Sequence, residues 1–407
     1  MKRIDVAVVG AGASGMLAAA AAAREASAAG KRLKILLFEK EKTPGKKLMS
    51  TGNGRCNLAN RNTDGGCYSG DKAFIDAVFA SFSPDDALAF FRSVGVPVTD
   101  DGSGRLYPVS RRAGAVVAAL RTECARCGAT ILCETPVERI DKTDGGFILN
   151  GEYHARSVIV AAGGDAGLRR GERCGAFGLL APLGIVSGER YPCLCGLTLG
   201  DYPAALKGVR NISIVSIRAD GNPVFTEKGE VQFNADGVSG IPVMQSSLTV
   251  SPLLRRNAVC RLSLDLLPEY GEKELLSRFS ALAERYPGVP AEQLFGGYLP
   301  KQLCAFLMKK IGVSPAAAFP AHKAAALAAQ VKELSFPVAG TADFPDAQVS
   351  GGGALTRQFR PETLEAKNIP GLYVTGETLD VVGLCGGYNL TWAWCTGYAA
   401  GRAASKY

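Results

Sequence analysis

Ile4-Asp5-Val6-Ala7-Val8-Val9-Gly10-Ala11-Gly12-Ala13-Ser14-Gly15, followed after an Ala-rich segment by LKILLFE at residues 33–39, is the stretch on which the fold turns. Ile4 to Val9, interrupted only by Asp5, is a short apolar run of the kind a buried parallel strand needs. The three glycines stand at G-x-G-x-x-G spacing. An Ala-rich helix is expected from Ser14 to about Ala29, stopped by Gly30, and a second buried strand from Leu33 to Phe38. Each glycine has a separate duty in dinucleotide binding: Gly10 for the tight turn, Gly12 for close approach of a pyrophosphate, Gly15 for helix–strand contact. Ala13 and Ser14 open the helix, whose free N–H groups and positive dipole end suit that pyrophosphate. Glu39 closes the second strand 24 residues past Gly15, where a carboxylate can accept the hydroxyls of an adenosine ribose.

Outward from this unit, a chain of 407 residues has room for two or three domains. It is 47% hydrophobic and 21% charged, ordinary for a globular protein. The net charge of +8 suits anionic ligands, but no block of Lys/Arg interleaved with aromatics is present, so nucleic-acid binding is not the first expectation. No apolar run reaches membrane-spanning length, and the Ala run is halted by Arg24 and Glu25 behind a glycine turn unlike a signal peptide. A cytoplasmic protein is expected. Its 12 cysteines are then reduced thiols, mostly buried as small hydrophobes. Cys124-x-x-Cys127 and Cys193-x-Cys195 lack the partners of a four-ligand zinc site, with only two histidines in the chain, and no metal is expected.

TPGKKLMSTGNGRCNLAN, Thr43 to Asn60, leaves the carboxyl end of the second strand and should lie over the ligand, with Lys46, Lys47 and Arg55 beside Gly52 and Gly54. Cys56 falls where a redox centre would be close. Ser83-Pro84-Asp85-Asp86 starts a helix, and Ser110 opens another that runs to Gly128. ATILCE, PVERIDK and GFILN read as a small antiparallel meander, and Val158 to Ala162 as a buried strand rejoining the sheet at Gly163. From about Gly184 to Pro337 the rhythm changes to strand-like pieces. These are ISIVSIRADG, a hairpin candidate in PVFTEKGEVQF, and RLSLDLL, with helices at Gly271–Tyr286 and Pro300–Ile311. Val349-Ser350-Gly351-Gly352-Gly353 reads as a flexible, close-approach loop. The strand Gly371 to Thr375 ends in Gly376-Glu377. Gly386-Gly387-Tyr388-Asn389-Leu390 then opens a helix holding Trp392 and Trp394, both read as core. One dinucleotide site is expected, since no second glycine triplet occurs.

Pairing that fingerprint with a distant strand ending in Gly376-Glu377 resembles the two-part FAD fold of the glutathione-reductase-like superfamily. TGNGRCNLAN, GRLYPVSRRAGAVVAAL, GEVQFNADGVSG, AQVSGGGAL and GLYVTGETLDVVGLCGGYNLTWAWCTGYAAG resemble, more closely, the bacterial BaiN-like flavoproteins, also labelled aminoacetone-oxidase-type. The resemblance implies an α/β fold. It would comprise a discontinuous Rossmann-like FAD-binding domain of three-layer ββα character (1–185 and 338–407), an inserted β-barrel-like domain (186–257 and 312–337) and a small helical domain (258–311). It also implies FAD held by Gly10 to Gly15, by Glu39 at the ribose, and by Lys40, Lys47, Gly54 and Arg55 along the cofactor. Val137 on the meander would pair with adenine, Ala162 and Gly163 would border the cofactor, Gly376 and Glu377 would meet the ribityl and phosphate region, and Gly387, Asn389 and Leu390 the flavin ring. Two departures stand out: Asn234-Ala235 where Thr-His is usual, and Val382 where Asp is frequent.

The expected activity is that of an FAD-dependent oxidoreductase, with NAD(P)H as a transient donor to reduce a carbon–carbon double bond in a steroid- or bile-acid-like or other small substrate. The alternatives are an amine oxidase using oxygen and a non-catalytic redox-sensing or RNA-associated flavoprotein. The residues alone name no catalytic acid or base, and Tyr388 and Arg55 are candidates by position only.

Overall fold

Val6 to Val9 have both faces covered, which is why the run is continuous rather than alternating. In the computed structural model, which describes residues 1–407, they belong to a strand, Lys2–Val9, at the middle of a parallel sheet. Its neighbours are Ile35–Phe38 on one side and Tyr153–Val160 on the other. Tyr153–Val160 is divided along one edge. Residues 153–155 pair antiparallel with Gly146–Leu149, while 158–160 pair parallel with Leu372–Val374. The late strand thereby completes a sheet begun by the first residues. Mixed α/β architecture with a Rossmann-like parallel sheet is as the sequence indicates.

The chain divides into two units, Met1–Tyr191 with Val349–Tyr407, and Pro192–Gln348. In the first, the helix Ala13–Ala28 is buried nearly all round and packs along the last helix, Tyr388–Ala404. The contact is backbone to backbone. A Cβ at Gly397 would stand 2.4 Å from the Ser14 carbonyl oxygen, and one at Gly401 2.1 Å from that of Ala18. Trp392 and Trp394 fill the core on this helix, each indole N–H donating to a backbone carbonyl, of Gly376 and Leu58. Ser83 and Asp86 form a reciprocal capping box at the start of Pro84–Ser93.

Three sequence expectations need correction. Thr130–Leu132, read as the first piece of the meander, instead pairs parallel with Ile35–Phe38 and extends the main sheet. The meander proper is Ile140–Thr143, Gly146–Leu149 and the first half of Tyr153–Val160. Short apolar pieces carry no direction, so parallel and antiparallel partners look alike in sequence. The Ser350 to Gly353 segment is buried rather than loose: a Cβ at Gly352 would meet the Glu189 carbonyl at 2.1 Å, and one at Gly353 the Leu379 backbone at 2.5 Å.

The second unit is a closed six-stranded antiparallel barrel of Leu197–Leu199, Gly237–Ser239, Asn222–Phe233, Arg210–Ala219, Cys260–Asp265 and Leu334–Thr341. Its core continues into the helices Glu272–Arg285, Lys301–Lys310 and Ala324–Lys332. The third correction lies here. PVFTEKGEVQF does not turn at Lys228-Gly229 but runs inside one 12-residue strand. The hairpin turns earlier, at Asp220 and Gly221, both left-handed (φ 50 and 84), as a two-residue turn of the hand that matches strand twist. Gly229 makes room for Pro242 of the helix Ile241–Arg255, whose Cδ would lie 3.1 Å from an added Cβ. No helix of the chain is long and apolar enough to cross a membrane.

An ion cluster around the buried Glu123 ties the first helix to the helix Ala113–Arg126. Glu123 accepts from Arg126 and from Arg24, and these guanidinium hydrogen bonds, Arg126 foremost, hold its carboxyl down at about 2. A lowered folded value means that the stabilisation is complete above the ordinary 4.5 and is lost as pH falls toward 2. Glu123→Gln is expected to destabilise the chain by about 2 kcal/mol at neutral pH. Thermal melts of the two proteins should converge between pH 4.5 and 2.

Candidate functional site

Five parallel strands end on the same side of the sheet, and expected site residues follow the last residues of four of them. Ligands of open α/β sheets sit at such carboxyl ends. After Val9, Gly10 turns with φ 101, and an added Cβ would strike the Ala161 carbonyl oxygen at 2.6 Å. Gly15 is closer still, 1.9 Å from the Gly10 carbonyl oxygen. Gly12 differs from both. Its backbone is extended (φ −82, ψ −160), and an added Cβ would meet nothing of the chain within 4 Å. Gly10 and Gly15 are thus glycines for the protein's own packing, whereas nothing in the chain requires one at Gly12. No side chain caps the helix that begins at Ala13, so its first N–H groups are left to a ligand.

After Phe38, Glu39 is almost fully buried. One carboxylate oxygen accepts from the Ala11 N–H and the other from the Glu41 N–H, both at 3.0 Å. Those bonds fix the carboxylate beside the glycine turn and leave a lone pair on each oxygen. After Val160 come Ala162 and Gly163, whose carbonyl oxygens accept from the Cys174 thiol. Thr378 also donates to Gly163, at 3.0 Å. A Cβ at Gly163 (φ 79) would likewise meet nothing. After Val374, Gly376 takes a positive φ of 64 with an added Cβ 2.8 Å from Ser14 Oγ, so the first helix and the last strand touch at the site.

Glu377 joins the two ends of the sequence. One oxygen accepts from Lys47 Nζ at 2.6 Å, across 330 residues, and the other from the N–H and hydroxyl of Ser350. Ser350, Thr378 and Thr396, which holds the Gly376 N–H at 3.0 Å, escaped the sequence reading. Only Ser350, beside three glycines, carried a signal there. Asp380 extends the same clamp by accepting from Gly352 at 2.9 Å, and burial raises its carboxyl above the usual range.

The remaining expected residues divide. Gly387, with φ 101 and an added Cβ 2.4 Å from the Ala59 carbonyl oxygen, starts the last helix as anticipated. The Asn389 amide is occupied, accepting from Gly383 N–H and donating to Gly383 and Leu384 carbonyls, so only its backbone faces a ligand. Leu390 is half-buried against the main core. Val137 lies in the irregular segment before the meander rather than on it. The Asn150 side chain clamps Pro136, Glu138 and Arg139, leaving the Val137 backbone unbonded. Lys40 is exposed at the end of the second strand. Gly54 ends a left-handed turn, Gly52 to Gly54, directly before Arg55, and its carbonyl accepts from the Ala113 N–H at 2.8 Å. Cys56, next in this loop, is fully buried and burial pushes its thiol up to about 12, which leaves it protonated and poorly suited to redox work.

The family model described as HI0933-like protein Rossmann domain matches residues 4–403. A 3-dehydro-bile acid delta(4,6)-reductase of Clostridium scindens is 34% identical over 414 residues, covering 100% of both chains. A ribosomal RNA dihydrouridine synthase of Escherichia coli is 28% identical, covering 99% of this chain and 98% of the other. Among solved structures, 3-ketosteroid delta1-dehydrogenase from Sterolibacterium denitrificans shares the fold with a TM-score of 0.51 at 12% identity, over 100% of each chain.

Proposed function

Since the chain belongs to the HI0933-like Rossmann family, we propose that its FAD-dependent oxidoreductase chemistry is the reduction of a carbon–carbon double bond conjugated to a carbonyl. The substrate class is a steroid- or bile-acid-like or other small organic molecule. The observation that carries this reading is the full-length likeness to a 3-dehydro-bile acid delta(4,6)-reductase at 34% identity.

The backbone open at Gly12 and Gly163, the uncapped helix and the fixed Glu39 carboxylate fit FAD. Gly10 to Gly15, with Ala13 and Ser14, would take the pyrophosphate, Glu39 the ribose and Val137 the adenine. Lys40, Lys47, Gly54, Arg55, Ala162 and Gly163 would border the cofactor, Gly376 and Glu377 would face the ribityl chain, and Gly387 to Leu390 the flavin ring. The flavin supplies the hydride chemistry, with NAD(P)H as the donor that refills it. The chain supplies position and charge: the N-terminus of the last helix favours negative charge on whatever lies against it.

Purified protein reduced anaerobically with NADPH should be reoxidised by a 3-oxo-4,6-diene bile acid, with one of its two carbon–carbon double bonds saturated for each flavin reoxidised. Peroxide release on adding an amine in air, with no turnover of the dienone, would overturn this reading in favour of an amine oxidase. Lys47→Gln is expected to weaken FAD binding about fivefold to tenfold by removing the cation at Glu377, a modest effect because Lys47 is half exposed. Fluorescence titration of the apoprotein measures it. An unchanged affinity would make the pair a matter of folding only.

A second reading has its own support: the same bond type occurs in uridine, and a dihydrouridine synthase is 28% identical over nearly the full length. Arg55, Arg111 and Arg112 are exposed without acidic partners around one loop, suited to phosphates. Dihydrouridine missing from the ribosomal RNA of a strain lacking this chain would favour it.

A further inference from the structure

We propose a second small-molecule site in the first unit, at the C-terminal end of the last helix, and assign it a small zwitterion of α-amino acid size. A cavity of about 460 Å³ lies there, within the range of small-molecule sites. Tyr373, in the middle of the strand Leu372–Val374, lines it together with Glu362 and Glu365 from the preceding connection and Arg402 and Lys406 from the helix end. The helix starts at Tyr388, about 20 Å along its axis from Arg402, so the cavity is no part of the site at the other end.

Tyr373 is only 2% exposed, yet its hydroxyl has no hydrogen-bond partner in the chain. A buried polar group needs a partner, and here the cavity is the place for one. Packing does not explain the oxygen, because a phenylalanine would fill the same position. Burial foremost, then the Glu365 carboxylate and the Tyr407 phenol, push the Tyr373 phenol well above its usual value. It therefore keeps its proton and offers it to an acceptor.

The charged residues decide which ligand. Glu362 and Glu365 share the cavity with Arg402 and Lys406, yet no ion pair joins the two sets. Glu365 is fixed in place, accepting from the Gly371 N–H at 2.8 Å with Arg360 Nε 3.7 Å away. Arg402 uses Nη2 alone, on the Ser81 carbonyl oxygen at 3.0 Å and the Ser81 hydroxyl at 3.5 Å. Glu362 and Lys406 are exposed, with no partner of opposite charge. Acids and bases that line one hollow without closing on each other fit a molecule carrying both charges. Its ammonium group would go to Glu362 and Glu365, and its carboxylate to Arg402 and Lys406, with Tyr373 donating to the same carboxylate. A ligand of one sign would meet two like charges, which disfavours it. Ala399, Ala403 and the Tyr407 ring, which packs on Gly371, complete the lining and suit an aliphatic side chain.

The test is calorimetric titration of the full-length protein, as purified, with L-leucine and with two analogues that each lack one charge, 3-methylbutylamine and 4-methylpentanoate. Leucine should bind with a Kd of about 1 mM or tighter, and both analogues at least about tenfold more weakly. Tyr373→Phe should weaken leucine binding about tenfold. The same variant should melt within about 1 °C of the parent, since the hydroxyl bonds nothing of the chain. Glu362→Gln and Lys406→Gln, both at the surface, should each weaken binding about threefold. An analogue that binds as tightly as leucine would overturn the assignment of a zwitterion. Tyr373→Phe protein of parental affinity would overturn the site, with water alone serving the hydroxyl. So would the lack of saturable binding by any of the twenty standard amino acids at about 10 mM.

Discussion

Gly12→Val is expected to give a chain that folds normally, melts within about 1 °C of the FAD-free parent and carries no flavin colour. The backbone at Gly12 is already extended, so a β-branched residue adopts it without strain. A Cβ there touches nothing of the protein. The added methyls would instead occupy the space a pyrophosphate needs above the helix N-terminus. FAD affinity should fall at least about a hundredfold, or ~3 kcal/mol. Visible absorbance and fluorescence titration of the refilled apoprotein measure it. A yellow Gly12→Val protein of parental affinity would show that the first glycine turn is not where the cofactor is held.

Gly397→Val should do the reverse and remove the fold itself. The valine Cβ would stand 2.4 Å from the Ser14 carbonyl oxygen and 3.0 Å from its Cα, both backbone atoms that cannot step aside. Relief requires the first and last helices to separate, which uncovers a buried Ala-rich face and both tryptophans. Overpacking of this kind costs about 3 kcal/mol or more. Circular dichroism melts and yield of soluble protein should both collapse, with or without added FAD. If Gly397→Val kept a cooperative melt near that of the parent, the two helices would not be in backbone contact.

The contrast between these glycines also marks how much of the molecule the sequence discloses. The glycine triplet, the two apolar strands and Glu39 could be read directly, because helix and strand periods and glycine spacing are local. Gly376-Glu377 was legible only when paired with a fingerprint hundreds of residues earlier. The Lys47–Glu377 bond that makes the pairing physical is a long-range fact with no local trace. Thr396 and Thr378 were invisible for the same reason: a threonine in a helix or turn looks the same whether or not it holds a distant backbone group. The misread hairpin shows competition among signals. Lys228-Gly229 and Asp220-Gly221 are both turn-like, and only the packing of Pro242 against Gly229 shows which glycine serves a turn. The direction of Thr130–Leu132 was unreadable because three residues beside a larger strand take their orientation from the connection, not from composition.

The sheet in which Val158–Val160 pair with Leu372–Val374 imposes an order on biosynthesis. As the chain emerges from the ribosome, residues 192–348 can close their own barrel, since every strand of it lies within that span. The parallel sheet must wait with one edge bare until residues 349–407 have been made. During that interval the Ala-rich first helix also lacks its partner, and the nascent chain exposes apolar surface to which a chaperone would bind. Ribosome-bound chains stalled before residue 372 should therefore be protease-sensitive in the first unit while already protected in the second.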